Sequence, residues 1–344
     1  MVKRSVLVVG AGPAGVSAAF YLKKLDANGD LNVVLIERLE NERYHKYHRM
    51  CGEGISKMAF EELPGIMPCG VIEKIDVIRD VYPDGAEYEV KLPGYLINRS
   101  VFLEKIKQDF VKLGGNFKNE CFAGMERVGK ALKVRLGSGK KLFDYIVGAD
   151  GVCSTVRKAA GIGEGAKKTF VQYVVEGETE HNVIKFFYDQ KYDGNYKWVF
   201  PNGDVTKIGF PLSETVNPEK ELGTKQVIEK HARVIGYGGI KPQCSGCVLL
   251  IGDAAFQTNP ITKGGIRAAM VAGRYAAEAI ALGKPENYDA KWKKSGYNGD
   301  LYTPIFERLE RMSNNELSEM AKKIDETRYL SFLRVFSLCH KYGW

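Results

Sequence analysis

Gly10, Gly12 and Gly15 are spaced as G-x-G-x-x-G and follow an apolar run, Val6-Leu7-Val8-Val9, that reads as a strand. A glycine at the first position allows a tight turn. One at the second lets the backbone approach a pyrophosphate, and one at the third lets the next helix pack on the strand. Pro13 and Ala14 complete the loop, and the free N–H groups and dipole at the start of that helix favour an anion. A second apolar run, Val33 to Ile36, ends at Glu37, 22 residues beyond Gly15, where a carboxylate would accept ribose hydroxyls. Arg38 follows as a further contact. Strand, glycine turn, helix, strand and acid form the pattern of a dinucleotide-binding βαβ unit, whose continuous apolar strands imply a parallel sheet covered on both faces.

A second set of residues builds surfaces. Tyr196, Trp198 and Phe200 alternate along one segment. On a strand, side chains two apart share a face, so the three rings make either an aromatic wall for an apolar ligand or the aromatic core of a sheet. Cys244-Ser245-Gly246-Cys247 is a lone C-x-x-C with no second pair and no nearby H-x-x-x-H. Two ordinary turn cysteines are therefore favoured over a metal site or a redox dithiol. The segment from Arg43 to Arg49, with His45 and His48, reads as a basic solvated loop carrying one or two phosphate contacts. Between residues 328 and 344, basic residues interleave with Leu330, Phe332, Leu333, Val335, Phe336, Leu338 and Trp344. Such a pattern suits a membrane interface, a core cap or a dimer contact.

The elements that must position these groups can be read coarsely. A helix is expected from Val16 to Leu25, antiparallel strands from 71 to 98 with a Pro83-Asp84-Gly85 turn, and a helix over 100–113 ended by Gly114-Gly115. Strands are expected over 117–147 and 170–212, with a hairpin at Pro201-Asn202-Gly203-Asp204. A buried strand, Val248 to Ile251, leads into a long Ala-rich helix from Gly265 to Leu282, and 286–344 reads as helical. With 344 residues, 44% apolar and 27% charged, the chain is an ordinary globular protein of about two domains and not a disordered one. Its net charge of +8 is spread along the chain, which suits an anionic ligand or a membrane surface better than nucleic acid. No apolar run reaches the roughly 18 residues of a membrane span. No signal peptide is read at the start, and seven scattered cysteines point to reduced thiols in a cytoplasm.

Two later segments specify the nucleotide. Tyr145-Ile146-Val147-Gly148-Ala149-Asp150-Gly151-Val152-Cys153-Ser154-Thr155-Val156-Arg157 resembles the GADG-x-x-S-x-x-R segment of FAD-dependent enzymes of the p-hydroxybenzoate-hydroxylase fold. Val248 to Ala255, containing Gly252-Asp253, together with Pro260 and Gly264-Gly265-Ile266, resembles their second FAD motif. Within this resemblance Asp253 would meet a ribityl hydroxyl or orient the pyrophosphate. The Gly264-Gly265-Ile266 amides would open a helix whose positive end faces the flavin O2/N1 edge, where reduced flavin carries negative charge. Asp150 is left between a structural tie and a direct cofactor contact. Arg99 resembles the family's cofactor-contacting arginine. The fold implied is α/β: a Rossmann-like FAD-binding domain over 1–70, 99–165 and 240–290, an inserted antiparallel-sheet substrate domain over 71–98 and 166–239, and a short helical C-terminus over 291–344.

Tyr196-Lys197-Trp198-Val199-Phe200-Pro201 resembles the Y-x-W-x-F-P signature of geranylgeranyl reductases, and Arg49-Met50-Cys51-Gly52-Glu53-Gly54-Ile55-Ser56 resembles their Cys-Gly-rich segment. That family, which includes archaeal digeranylgeranylglycerophospholipid reductases, saturates prenyl double bonds with FAD. The resemblance places Tyr196, Trp198 and Phe200 at the substrate, Arg49, Cys51 and Gly52 at the cofactor, and an isoprenoid or prenylated lipid in the slot. An isolated alkene is not polarised, so hydride addition at one carbon needs a proton at the other. Cys51 is a candidate donor or a packing thiol, and Glu53 is a candidate acid or a loop charge. No second G-x-G-x-x-G is present, so electrons are expected from a docking carrier such as ferredoxin, from reduced flavin, or from transiently bound NAD(P)H. The rival readings are an aromatic monooxygenase on the same fold and a flavin-binding electron-transfer protein.

Overall fold

The computed structural model describes residues 3–326 and Gly343, with side chains through residue 323. The segment from 328, apart from Gly343, lies outside the described residues.

The first strand, Arg4–Val9, is the centre of a six-stranded sheet. Val6, Leu7 and Val8 are fully buried there. Burial of each such side chain stabilises by about 1.5–3 kcal/mol, which explains why a short apolar run commits to the interior. Leu31–Glu37 pairs with it on one side and Tyr145–Gly148 on the other, both parallel. Asn116–Asn119 and Val248–Leu250 extend the parallel array, and a two-residue antiparallel strand, Cys244–Ser245, closes one edge. The strand order reverses beside Arg4–Val9, so the loops after it and after Tyr145–Gly148 face each other across a crevice, the usual ligand position in such sheets.

The helix Pro13–Lys24 starts at the glycine loop, with Pro13 in its first turn, where its missing N–H loses nothing. It packs on Ile266–Ala281, and Ser17 Oγ donates to the Met270 carbonyl at 2.6 Å. Gly273 makes this crossing close: a Cβ there would lie 2.5 Å from the Ala14 carbonyl oxygen.

An eight-stranded sheet forms the other layer. In spatial order its strands are Val227–Tyr237, Ala166–Glu176, Val205–Pro211, Tyr196–Asn202, Val183–Tyr188, Val71–Val81, Glu87–Ile97 and Gly54–Ser56. All pairings are antiparallel except that of Val183–Tyr188 with Val71–Val81. The short strand Gly54–Ser56 leaves the nucleotide side of the chain and joins this sheet. A small three-stranded sheet spans Phe122–Val128, Ala131–Leu136 and Gly139–Phe143. Helices Asn287–Lys293, Thr303–Leu309 and Asn314–Glu326 follow the long helix. Among the described residues, no helix is long and apolar enough to cross a membrane.

Two expectations need correction. The basic segment at 43–49 is part of a helix, Asn41–Arg49, not a loop. Tyr44 and His48, one turn apart, are buried and hold it down, while Arg43, His45, Lys46 and Arg49 are exposed. The strand Val227–Tyr237 lies within the antiparallel-sheet region expected over 166–239 but beyond the strands expected over 170–212. It pairs along nearly its whole length with Ala166–Glu176, yet its inner face carries His231 and Arg233 and so lacks an apolar alternation.

The helix crossing yields a test. Gly273→Ala is expected to destabilise the protein by about 1–3 kcal/mol through overpacking against the backbone of the first helix. A lowered urea midpoint with an unchanged slope is the expected observation.

Candidate active site

The loops at the strand ends and the inner face of the large sheet enclose one cavity of about 470 Å3. One end of it is built by the glycine loop. Gly10 has φ +99°, a left-handed conformation that favours glycine, and a Cβ there would lie 2.5 Å from the Ala149 oxygen. A Cβ on Gly15 would collide with the Gly10 carbonyl, so helix and loop can approach only because both lack side chains. Gly12 is open toward the cavity, with His48 Cε1 at 3.8 Å from where its Cβ would stand. Glu37 accepts from the amides of Ala11 (2.8 Å) and Leu39 (2.9 Å) and thereby fixes the loop. Each of its oxygens keeps a further lone pair, and Glu37 and Arg38 both line the cavity.

Asp150 lines the cavity but is spent on local structure. It accepts from Ser154 Oγ at 2.5 Å and from the Thr155 and Val156 amides at 2.7 and 3.1 Å, capping the short helix Thr155–Ala159. Arg157, fully buried, ties that helix to the second motif by donating to the Ala254 carbonyl at 3.1 Å. Asp253 accepts from Thr258 Oγ1 at 3.2 Å and meets Arg233 at 3.5 Å. Gly264, Gly265 and Ile266 bring the N-terminus of the long helix to the cavity wall. Gly252 has φ +62° and its amide is held by Gln257 Oε1 at 2.6 Å. Arg49 and Pro260, expected at the cofactor, are not among the lining residues, and neither is Gly252 itself.

The middle of the cavity carries positive charge. Arg99 begins the helix Arg99–Lys112 and its Nε donates to the His48 carbonyl at 2.9 Å. Arg99 Nη2, His48 Nδ1 and Arg233 Nη1 are buried and have no partner among the described residues. Two guanidinium groups, an imidazole and open loop amides around one space fit a dinucleotide carrying a pyrophosphate. Burial, reinforced by Arg99, Arg233 and His45, holds the His48 imidazole well below its ordinary value.

Cys51 and Gly52 join the two ends. Cys51 Sγ accepts from the Glu53 amide at 3.3 Å. A Cβ on Gly52 would lie 2.7 Å from the Phe200 ring, so the Cys-Gly loop and the aromatic strand meet here. Tyr196, Trp198 and Phe200 all face the cavity, joined by Phe186 from the next strand. The Tyr196 hydroxyl donates to the Thr262 carbonyl beside the Gly264-Gly265 turn, and burial pushes that phenol up. Glu53, at φ +64°, is fully engaged: Oε1 accepts from the Arg99 amide at 2.9 Å, and Oε2 pairs with buried Lys207. Lys207, His231, Arg233 and Gln172 were not singled out by the sequence. Each sits at an inward strand position that only the pairing register discloses. Outside the cavity, burial pushes the Cys244 thiol up to about 12, where it is a poor nucleophile.

This is the fold of flavin-dependent enzymes of the p-hydroxybenzoate-hydroxylase type. It superposes on a geranylgeranyl bacteriochlorophyll reductase-like protein of Thermoplasma acidophilum with a TM-score of 0.81 and 22% identity, covering 99% of this chain and 97% of that one. A flavin-dependent brominase matches with a TM-score of 0.74 and 18% identity over 98% and 95% of the two chains. In sequence, the chain is similar to the digeranylgeranylglycerophospholipid reductases over nearly its whole length. It is 28% identical to digeranylgeranylglycerophospholipid reductase 2 of Methanopyrus kandleri, covering 96% of this chain and 92% of the relative. It is also 28% identical to reductase 1 of that name from Methanothermobacter thermautotrophicus, over 94% and 91%. No family model matches the chain.

The buried imidazole predicts a pH dependence. Because the folded-state value lies below the unfolded value of about 6.5, protonation favours the unfolded chain. Stability is complete above about pH 6.5 and falls as pH drops below it. His48→Gln should flatten that slope, as read from thermal midpoints of wild type and variant across this range.

Proposed function

We propose that this chain is a FAD-dependent reductase that saturates carbon–carbon double bonds of an isoprenoid chain, in the formation of membrane lipid. The observation that carries this reading is the continuity of one cavity from the glycine loop to the rings of Tyr196, Trp198, Phe200 and Phe186. A phosphate-receptive end and an aromatic hydrocarbon-receptive end share one cavity, and the Cys51-Gly52 loop lies where they meet. The names carried by the sequence relatives support the same reading.

Gly10, Gly12, Ala14, Glu37, Arg38, Arg99, Asp253 and the Gly264-Gly265-Ile266 turn would hold FAD. When bound and reduced, FAD supplies a hydride to one alkene carbon. The other carbon takes a proton, and Cys51 is the group we assign to deliver it. The Glu53 amide donates to Cys51 Sγ and holds the thiol in place. Solvent restores the proton to the thiol between turnovers. Glu53 takes a positioning role: with both oxygens already accepting, it aligns the loop and the start of the Arg99–Lys112 helix. The aromatic wall orients the chain and excludes water from the reacting carbons.

The test is anaerobic. Chemically reduced, flavin-loaded protein mixed with a geranylgeranyl lipid should be reoxidised while the lipid gains mass in steps of two hydrogens. A product that forms only with oxygen and carries a new hydroxyl would overturn the assignment. Cys51→Ala is expected to lower turnover by about 10²- to 10⁴-fold with flavin content unchanged. Full activity in that variant would remove the thiol from the proton path.

A further inference from the structure

The slot is not apolar throughout. Its floor is a row of residues in register across five strands: Phe186, Trp198, Gly209, Gln172 and His231. At the Phe186 end the row is aromatic, and from Gly209 onward it is polar. Gly209 has no side chain, and the Trp198 indole lies over it, since a Cβ there would run into the ring. This brings the indole edge toward Gln172.

Gln172 is only 4% exposed, lines the cavity, and has neither its amide oxygen nor its amide nitrogen paired among the described residues. Trp198 Nε1, on the same row, is likewise buried and unpaired. His231 Nε2 is already satisfied by Glu229 at 2.9 Å. A wall that held only hydrocarbon would leave the Gln172 amide and the indole N–H without partners, which buried polar groups tolerate poorly. The unmet set is rich in donors, namely the two amide hydrogens and the indole N–H, with one carbonyl acceptor. Its complement is an oxygen.

We infer that the Gln172–Trp198 edge is a polar subsite that binds an oxygen function of the substrate, a hydroxyl, ether or phosphate oxygen. The hydrocarbon part then lies against Tyr196, Phe200 and Phe186. This rests on the reading of the chain as an isoprenoid reductase and deepens it. The enzyme selects an oxygenated isoprenoid, not a bare polyene. Gln172 is a specificity residue; it takes no part in proton or hydride transfer.

The experiment is calorimetric titration of flavin-loaded protein with three short probes: geraniol, geranyl phosphate and the corresponding hydrocarbon 2,6-dimethylocta-2,6-diene. Both oxygenated probes should bind at least roughly tenfold more tightly than the hydrocarbon, the increment of about one hydrogen bond. Gln172→Leu should bring the three affinities together by weakening the oxygenated probes and leaving the hydrocarbon unchanged or tighter. Gln172→Glu keeps the shape, removes the donor and should weaken geranyl phosphate most; it serves if the leucine variant fails to fold. Trp198→Phe should give a smaller loss on the oxygenated probes alone. A hydrocarbon bound as tightly as geraniol by wild type, or an affinity ratio unmoved in both Gln172 variants, overturns the inference while the isoprenoid reading stands. No binding of any of the three would overturn the isoprenoid reading and this inference with it.

Discussion

The buried pair between Glu53 and Lys207 is the constraint around which the rest of the molecule is arranged. Glu53 sits in a left-handed turn of the loop that leaves the nucleotide side, and Lys207 projects from a central strand of the large sheet. They are 2% and 4% exposed. At that depth, removing one partner would strand the other charge, a loss of about 3–5 kcal/mol. The same carboxylate accepts the amide that starts the helix Arg99–Lys112. One side chain thus joins the two layers and fixes Cys51 and Gly52 between them. The cofactor end and the substrate end keep a common register because this joint does not slide.

The glycine loop, the acid at the end of the second strand and the aromatic triplet were legible because each has a local pattern with a steric reason. Gly10 needs a left-handed turn, Gly15 needs to touch backbone, and Tyr196, Trp198 and Phe200 alternate with the pleat. What stayed hidden was set by partners distant in sequence. Glu53 stayed open between a candidate acid and a loop charge because Lys207, which pairs with it, lies 154 residues away. Asp150 was left between two roles, and its bonds to Ser154, Thr155 and Val156 show a tie within its own loop.

The helix Asn41–Arg49 and the strand Val227–Tyr237 were missed through one physical effect. Pattern reading takes the apolar face as the buried face. In both elements the buried face is polar: His48 in the first, His231 and Arg233 in the second. His231 is satisfied by Glu229, whereas His48 and Arg233 leave unpaired nitrogens at the cavity. Hydrophobic periodicity fails in these two elements because the faces turned to the cavity are polar.

Gly209 has a consequence beyond its own strand. The Trp198 ring can lie across the sheet only because that position is bare, so the clearance between floor and loop is governed by a missing side chain. A methyl-branched chain is thicker than a straight one at every branch. Any residue with a Cβ at this point would push the indole off the sheet and narrow the clearance above it, so a substrate branched at every fourth carbon, as proposed here, would lose room before a straight one would.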